Sequence, residues 1–330
     1  MKALAALNGC AAYAPEFDGG LSNHLPMTLV ALERLGADEQ RLAAFAAAYA
    51  TRLEPAPPVQ PWPVGDPWPD RLGQPESWPA YRSLFAEWIP QEGAVDMLAQ
   101  VLPQLMSGVG AAAFHGLIRT AHALRCGHLA ELADALAYWA CRHLWLGAMD
   151  PDTAVTARAP ATDDPVALLR ELRRGRSGAQ LIFEQMRDAA LDGRVNRVAA
   201  RLRIDEGTPQ RLARAAALAY AHTGNFVALH LVTGTHAMRI VTRFVDDPLA
   251  AWGWYWQAYA HAVVAARLQP LPPAPLRTWK TLVTQALASN DEHVVKLVEC
   301  CREEEKAYAG RGEALWREAA SRAVEGHQRK

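Results

Sequence analysis

The sequence predicts an all-α fold, a compact multi-helix domain and not a regular repeat solenoid, on three observations. Its 330 residues include 64 Ala and 39 Leu but only five Ile; Ala and Leu lose least on entering a helix, whereas a sheet asks for β-branched residues. Apolar positions recur at helical spacing in successive blocks, and the breaks between blocks carry Gly, Pro or Asp. There is no self-similarity at the period of about 34 to 47 residues that marks a helical solenoid.

The blocks are justified in chain order. Residues 21–36 read as a first helix, because Ser22 and Asn23 are cap formers, Pro26 falls in the first turn and Gly36 ends the pattern. A second helix is expected over 38–53. Residues 55–79 hold nine prolines with Trp62, Trp68 and Trp78, and this density forbids regular structure, so a loop wrapping the surface with its Trp side chains pinned into grooves is expected. Helices then follow over 93–106, 111–125, 129–147, 165–173, 179–191, 209–241, 249–267, 275–288, 291–309 and 313–324. Gly224 and Gly234 make the long 209–241 block either two helices or one with a kink. A single domain over 1–330 is expected, with a division near 159–164 as the alternative.

Charge excludes some partners. Thirty-four Lys and Arg against 35 Asp and Glu give little electrostatic hold on nucleic acid or an anionic membrane, so neither is an expected partner. No stretch of about 18 apolar residues is present to span a bilayer. The five cysteines, Cys10, Cys126, Cys141, Cys300 and Cys301, include no Cys-x-x-Cys pair, and the opening 14 residues lack the apolar core of a leader, so a reducing, cytoplasmic location is expected. Oligomeric state is not written in the sequence.

Several chemistries fail on their motifs. Residues 107–113 match G-x-G-x-x-A, but no strand precedes them, and they read as a helix-to-helix turn. A P-loop, H-E-x-x-H and G-x-S-x-G are all missing, and no Glu-x-x-His exists for a ferritin-type di-iron site.

What remains is a set of histidines in apolar or capped contexts. His24 stands at a helix start, where the positive dipole end favours the neutral ring that a metal ligand must have. His115 lies in Ala-Ala-Ala-Phe-His-Gly-Leu-Ile and His230 in Phe-Val-Ala-Leu-His-Leu-Val. His236 follows six residues later, a rotation of about 600° on a regular helix, so both would serve one site only if Gly234 bends the segment. His293 and Lys296, three apart, share a face beneath Ser289, Asn290 or Asp291 as cap. Flanked by Val294, Val295 and Leu297, Lys296 is either a buried amine with a depressed pKa, able to act as a nucleophile or to add carbon dioxide as a carbamate ligand, or a side chain whose stem reaches the surface. A lone apolar histidine is more often a core residue bonded to a carbonyl. Four such segments together favour one imidazole-rich centre for iron, copper or zinc. His122, His128, His143, His222 and His327 read as surface residues.

The chain resembles the questin oxidase-like proteins, through Gly-Leu-Ser-Asn-His-Leu-Pro-Met around His24, Phe-His-Gly-Leu-Ile-Arg around His115, Leu-His-Leu-Val-Thr around His230 and Asp-Glu-His-Val-Val-Lys ending at Lys296. The resemblance implies an all-helical fold and, in fungal members, oxidation of anthraquinones with ring opening in a Baeyer-Villiger-like or dioxygenase-like step, with which NADPH has been associated. It implies a non-haem iron held by four histidines and a carboxylated lysine, here His24, His115, His230, His293 and Lys296. His236 is the alternative to His230 and, with Lys296, a candidate catalytic residue.

The expected function is therefore an oxidoreductase that uses dioxygen at a histidine-rich iron centre to oxidise a bulky aromatic or polyketide-like small molecule. Alternatives from other classes are a non-catalytic helical interaction protein and a zinc hydrolase on the same histidines. Trp252, Trp254, Tyr255 and Trp256, or the Pro-rich arm, are candidates to wall a flat substrate, although core packing is the favoured role for the first group.

Overall fold

A computed structural model describes residues 3–148, 161–172, 177–191, 193–266, 268–308 and 314–328. Its elements before the first long loop are α1 (Ala3–Asn8), a hairpin of β1 (Glu16–Phe17) and β2 (Leu21–Ser22), α2 (Leu25–Leu35) and α3 (Glu39–Ala50). The next group is α4 (Trp78–Glu92), α5 (Ala94–Met106), α6 (His115–Cys126) and α7 (Leu129–Cys141). Three short helices follow, α8 (Pro165–Glu171), α9 (Ile182–Ala190) and α10 (Arg194–Ala199). The chain then runs through α11 (Thr208–Thr223), α12 (Phe226–Val241), α13 (Pro248–Ala265), α14 (Trp279–Ala288), α15 (Glu292–Ala307) and α16 (Leu315–Gln328).

The caps follow from residue chemistry. Asp38 accepts from Arg41 N at 2.7 Å to start α3, Asn225 accepts from Val227 N and Ala228 N to start α12, and Asp291 accepts from His293 N to start α15. Gly36 and Gly224 end α2 and α11 in the left-handed region at φ 105° and 58°, which costs a glycine nothing. Gly224 thus resolves the 209–241 block into two helices, and α12 runs unbroken through Gly234.

Four helices make the frame of the interior. α2 packs on α6 and α15, and α12 packs on α6 and α15, so the four close a ring. Remaining helices cover it: α7 lies across α6 and α4, α11 and α16 lie behind α12 and α15, and α13 backs α12. The core is continuous and dominated by Leu, Ala and buried aromatics such as Trp139, Trp256 and Tyr255.

The Pro-rich segment between α3 and α4 is irregular chain with two short 3-10 turns, Trp68–Arg71 and Pro75–Ser77, and is held by aromatic contacts. Trp62 rests on Tyr81 at 4.9 Å between centroids, and Trp68 on Phe85 at 5.9 Å. It ends at Ser77, two residues early, because Pro79 occupies the first turn of α4, where its missing N–H is no loss. α4, α10, α1 and the short hairpin are elements that periodicity does not announce: α4 carries Pro79 and Pro90, and α1 and α10 have six residues each. The 111–125 block begins only at His115, because 107–114 is a turn in which Ala112, Ala113 and Phe114 have φ of 46°, 56° and 71°. The 129–147 block ends at Cys141. Residues 159–160 of the alternative boundary, and Arg173, Arg267, Ala309 and Glu313 at predicted helix ends, lie outside the described residues.

One glycine sets the closest helix approach near the interior ring. A Cβ on Gly116 would stand 2.7 Å from both Cα and Cβ of Trp139, so α6 and α7 meet there over a hydrogen atom. Gly116→Ala is expected to destabilise by about 1–2 kcal/mol, overpacking outweighing the gain in helix propensity. The check is urea unfolding, with a lower midpoint at unchanged slope as the expected result.

Candidate metal centre

All four ring helices present a histidine at or near their first turn. His24 is the N-cap of α2, His115 opens α6, His293 is the second residue of α15, and His230 is the fifth of α12. The rings form a closed circuit of contacts, with centroids 4.7 Å apart for His24 and His115, 4.7 Å for His24 and His293, 4.9 Å for His115 and His230, and 6.0 Å for His230 and His293. His24, His115 and His230 are buried, and His293 is half-buried.

Hydrogen bonding at the outer nitrogens fixes what the inner ones offer. His115 Nδ1 donates to Ala112 O at 2.5 Å and His230 Nδ1 to Phe226 O at 2.8 Å, while His293 Nδ1 faces Asp291 Oδ1 at 3.4 Å. A carbonyl only accepts, so Nδ1 carries the proton and Nε2 keeps its lone pair, the arrangement that outer partners impose on metal-ligating imidazoles. Nε2 of His230 and Nε2 of His293 are buried and have no hydrogen-bond partner. His24 Nε2 lies 2.8 Å from His115 Nε2, a distance at which one proton bridges the two or both lone pairs turn to a shared cation.

The left-handed turn before α6 serves this geometry. It brings Ala112 O beneath the ring of His115 and places Ala112 and Ala113 in the wall of the adjoining cavity. Such backbone persists only where the surroundings over-determine it, and it gathers at functional sites.

Lys296 is buried, 3% exposed, and its Nζ lies 3.1 Å from His24 Nδ1. Of the two readings of this lysine, the inward one holds. Burial pushes its amine down to about 8, against the pull of Glu292 and Asp291 in the opposite direction. Burial likewise holds His24 and His115 well below the ordinary imidazole value, lowers His293, and brings His230 to about 3. Four neutral rings in mutual contact suit an ion that imidazole binds, iron, copper or zinc, and among the described residues the ligand atoms within reach of one another are those of His24, Glu292 and His293.

The structure adds a carboxylate that the sequence reading missed. Glu292 Oε1 is 3.8 Å from both His24 Nδ1 and His293 Nδ1 and 3.6 Å from Arg52, and one atom each of His24, Glu292 and His293 lie within 4.8 Å of one another. Its position beside His293 was the available signal, but a carboxylate at a helix start is ordinarily read as complementing the dipole.

His236 is not brought to the cluster. Its Nδ1 donates to Glu304 Oε1 at 2.6 Å and its Nε2 accepts from Arg125 at 3.0 Å. The reason is the continuous α12, on which six residues turn the ring away from His230. His236 belongs to a buried polar layer one to three turns below the cluster, where Arg125 pairs with Glu299 at 2.5 Å, Arg34 with Glu299 at 3.0 Å and Arg239 with Glu304 at 2.6 Å. His122, expected at the surface, is buried against this layer because its neighbour Arg125 turns inward to Glu299. His261 is a core histidine that donates to Gln257 O. His222 is exposed, His128 caps α7, His143 contacts Ser107, and the side chain of His327 lies outside the described residues.

Beside the cluster opens a cavity of about 880 Å³, within the range of small-molecule sites. Phe17, Leu21, Leu181, Ile182, Phe183 and Phe226 make it apolar, and Arg52, Gln180 and Asn290 supply polar points. Phe226 lies against both His230 and His293, at 4.6 and 4.9 Å. The expected walls are elsewhere: Trp252 and Trp256 are core residues, and the tryptophans of the Pro-rich arm pack on α4.

Acid stability follows from the depressed imidazoles. Between pH 6.5 and the lower folded values, about 3 for His230, the unfolded chain binds more protons than the folded one. Stability is thus complete above pH 6.5 and falls as pH drops through that window. In chelator-treated protein, His230→Leu is expected to reduce the pH slope of the unfolding free energy by about 1.4 kcal/mol per pH unit, one proton's worth, measured by urea titrations at pH 7, 6 and 5.

Among the described residues no helix is long and apolar enough to cross a membrane. Comparison with curated proteins returns no match. Residues 21–301, which contain every ring and the lysine of this centre, match the family model described as Questin oxidase-like, and the chain belongs to that family.

Proposed function

We propose that the protein is an oxidoreductase that uses dioxygen at a non-haem iron, held by His24, His115, His230, His293 and Lys296, to oxidise a bulky aromatic or polyketide-like molecule in the adjoining cavity. Membership of the questin oxidase-like family suggests oxidase chemistry. The observation that supports the finer reading is the circuit of four contacting imidazoles, three with an outer nitrogen on a protein acceptor, beside a buried lysine.

Iron bound there would supply dioxygen activation and electron transfer, which none of these side chains provides. The chain's own residues do the rest. Ala112 O, Phe226 O and the Asp291 carboxylate orient three rings; the tethering of Nδ1 raises the basicity of Nε2. Lys296, with an amine lowered to about 8, has a neutral fraction at pH 7 that can add carbon dioxide and release one proton, giving an anionic oxygen ligand. Phe17, Phe183 and Phe226 offer ring faces to a flat substrate and exclude water. NADPH is the candidate electron donor. Ring opening, Baeyer-Villiger-like or dioxygenase-like, is the candidate reaction.

Protein purified without chelators is expected to carry about one iron per chain by elemental analysis, with the nitric-oxide EPR signal that zinc would not give. His230→Ala and His293→Ala should bring iron to under about a tenth of the wild-type content, whereas His236→Ala should keep it. Iron lost from the His236 variant and retained by the His230 variant would sink this ligand assignment.

A further inference from the structure

We propose that a second cavity, on the face of α12 turned away from the histidines, binds an apolar monocarboxylate that carries an oxygen substituent at its far end. The cavity measures about 490 Å³, room enough for a small lipid-like acid. Leu169 of α8, Leu218 of α11, Leu231 of α12 and Val263 of α13 wall it. Rotation of about 100° per residue explains the separation: Phe226 and His230 of α12 line the histidine cavity, and Ala228 and Leu231 line this one.

Two observations give the occupant its chemistry. Tyr259, 1% exposed, lines the cavity, and among the described residues its hydroxyl makes no hydrogen bond. This hydroxyl is therefore open to an oxygen or nitrogen partner from inside the cavity. At the rim stand the exposed Arg170 and His222 side chains, neither in an ion pair among the described residues. Leu218 and Leu268 beside them are 49% and 37% exposed, so the rim is apolar surface around an unpaired guanidinium. A carboxylate at Arg170, an apolar body between the leucines and an oxygen at Tyr259 satisfy all three features. The chemistry is independent of any metal.

The test is calorimetric titration of decanoate, 10-hydroxydecanoate and decan-1-ol into chelator-treated full-length protein. Both acids are expected to bind once per chain and more tightly than the alcohol. Arg170→Glu, a surface change, should weaken both acids about five- to tenfold and leave the alcohol unaffected. Of the two acids, Tyr259→Phe should weaken only the hydroxy acid, and Ala215→Trp, which fills the cavity from α11, should abolish binding of all three ligands. Matching far-ultraviolet circular dichroism shows that each variant has folded. No binding by the wild type, acid binding indifferent to Arg170→Glu, no discrimination by Tyr259→Phe, or binding that survives Ala215→Trp would each overturn the assignment.

Discussion

Four helices begin at one point, and the rest of the interior answers to that constraint. The starts of α2, α6, α12 and α15 bring their positive dipole ends together. Such a place favours neutral imidazole over imidazolium, and burial reinforces the preference. It also disfavours a bare cation. The carboxylates of Asp291 and Glu292 at the start of α15 offset it, and an anionic oxygen on Lys296 would do so further. The charged layer below, with Arg34, Arg125, Glu299, Glu304 and Arg239, ties the same four helices together farther along their lengths. Breaking one partner of such a buried pair costs more than the pair itself contributes, so the layer specifies register more than it adds stability.

Legibility in the sequence followed the range of the forces involved. The helical class was readable because Ala, Leu and punctuating Gly, Pro and Asp act locally. The inward histidines were readable because His115 and His230 sit in runs with no charge to draw them out, whereas Lys296 stood open between the interior and the surface until its burial was seen. His122 was not, since Arg125 beside it signals solvent until Glu299, 174 residues away, is known to receive it. Likewise Glu292 carries no signal of its own until His24, far off in the chain, is known to face it, and α4 was hidden by two prolines that a first turn and a last turn accommodate. The Phe17, Phe183 and Phe226 walls come from three distant segments that only tertiary packing assembles, whereas the conspicuous Trp252–Trp256 cluster is core.

Helix phase decides the roles along α12. A single unbroken cylinder turns Phe226 and His230 to one cavity, Ala228 and Leu231 to another, and His236 to the ion-pair layer. Gly234 does not bend it; a Cβ there would stand 2.9 Å from the hydroxyl of Tyr255, which explains the glycine by the close passage of α13.

The turn at Ala112, Ala113 and Phe114 bears on the order in which the molecule is built. Three successive left-handed residues with side chains oppose local preference, so an isolated segment does not hold them. They hold once α6 has packed on α7 at Gly116 and Trp139. His115 therefore takes its place through tertiary assembly, and an ion meeting an incomplete chain finds the ring circuit open. On the proposed reading, metal loading would be a property of the finished fold and not a template for it.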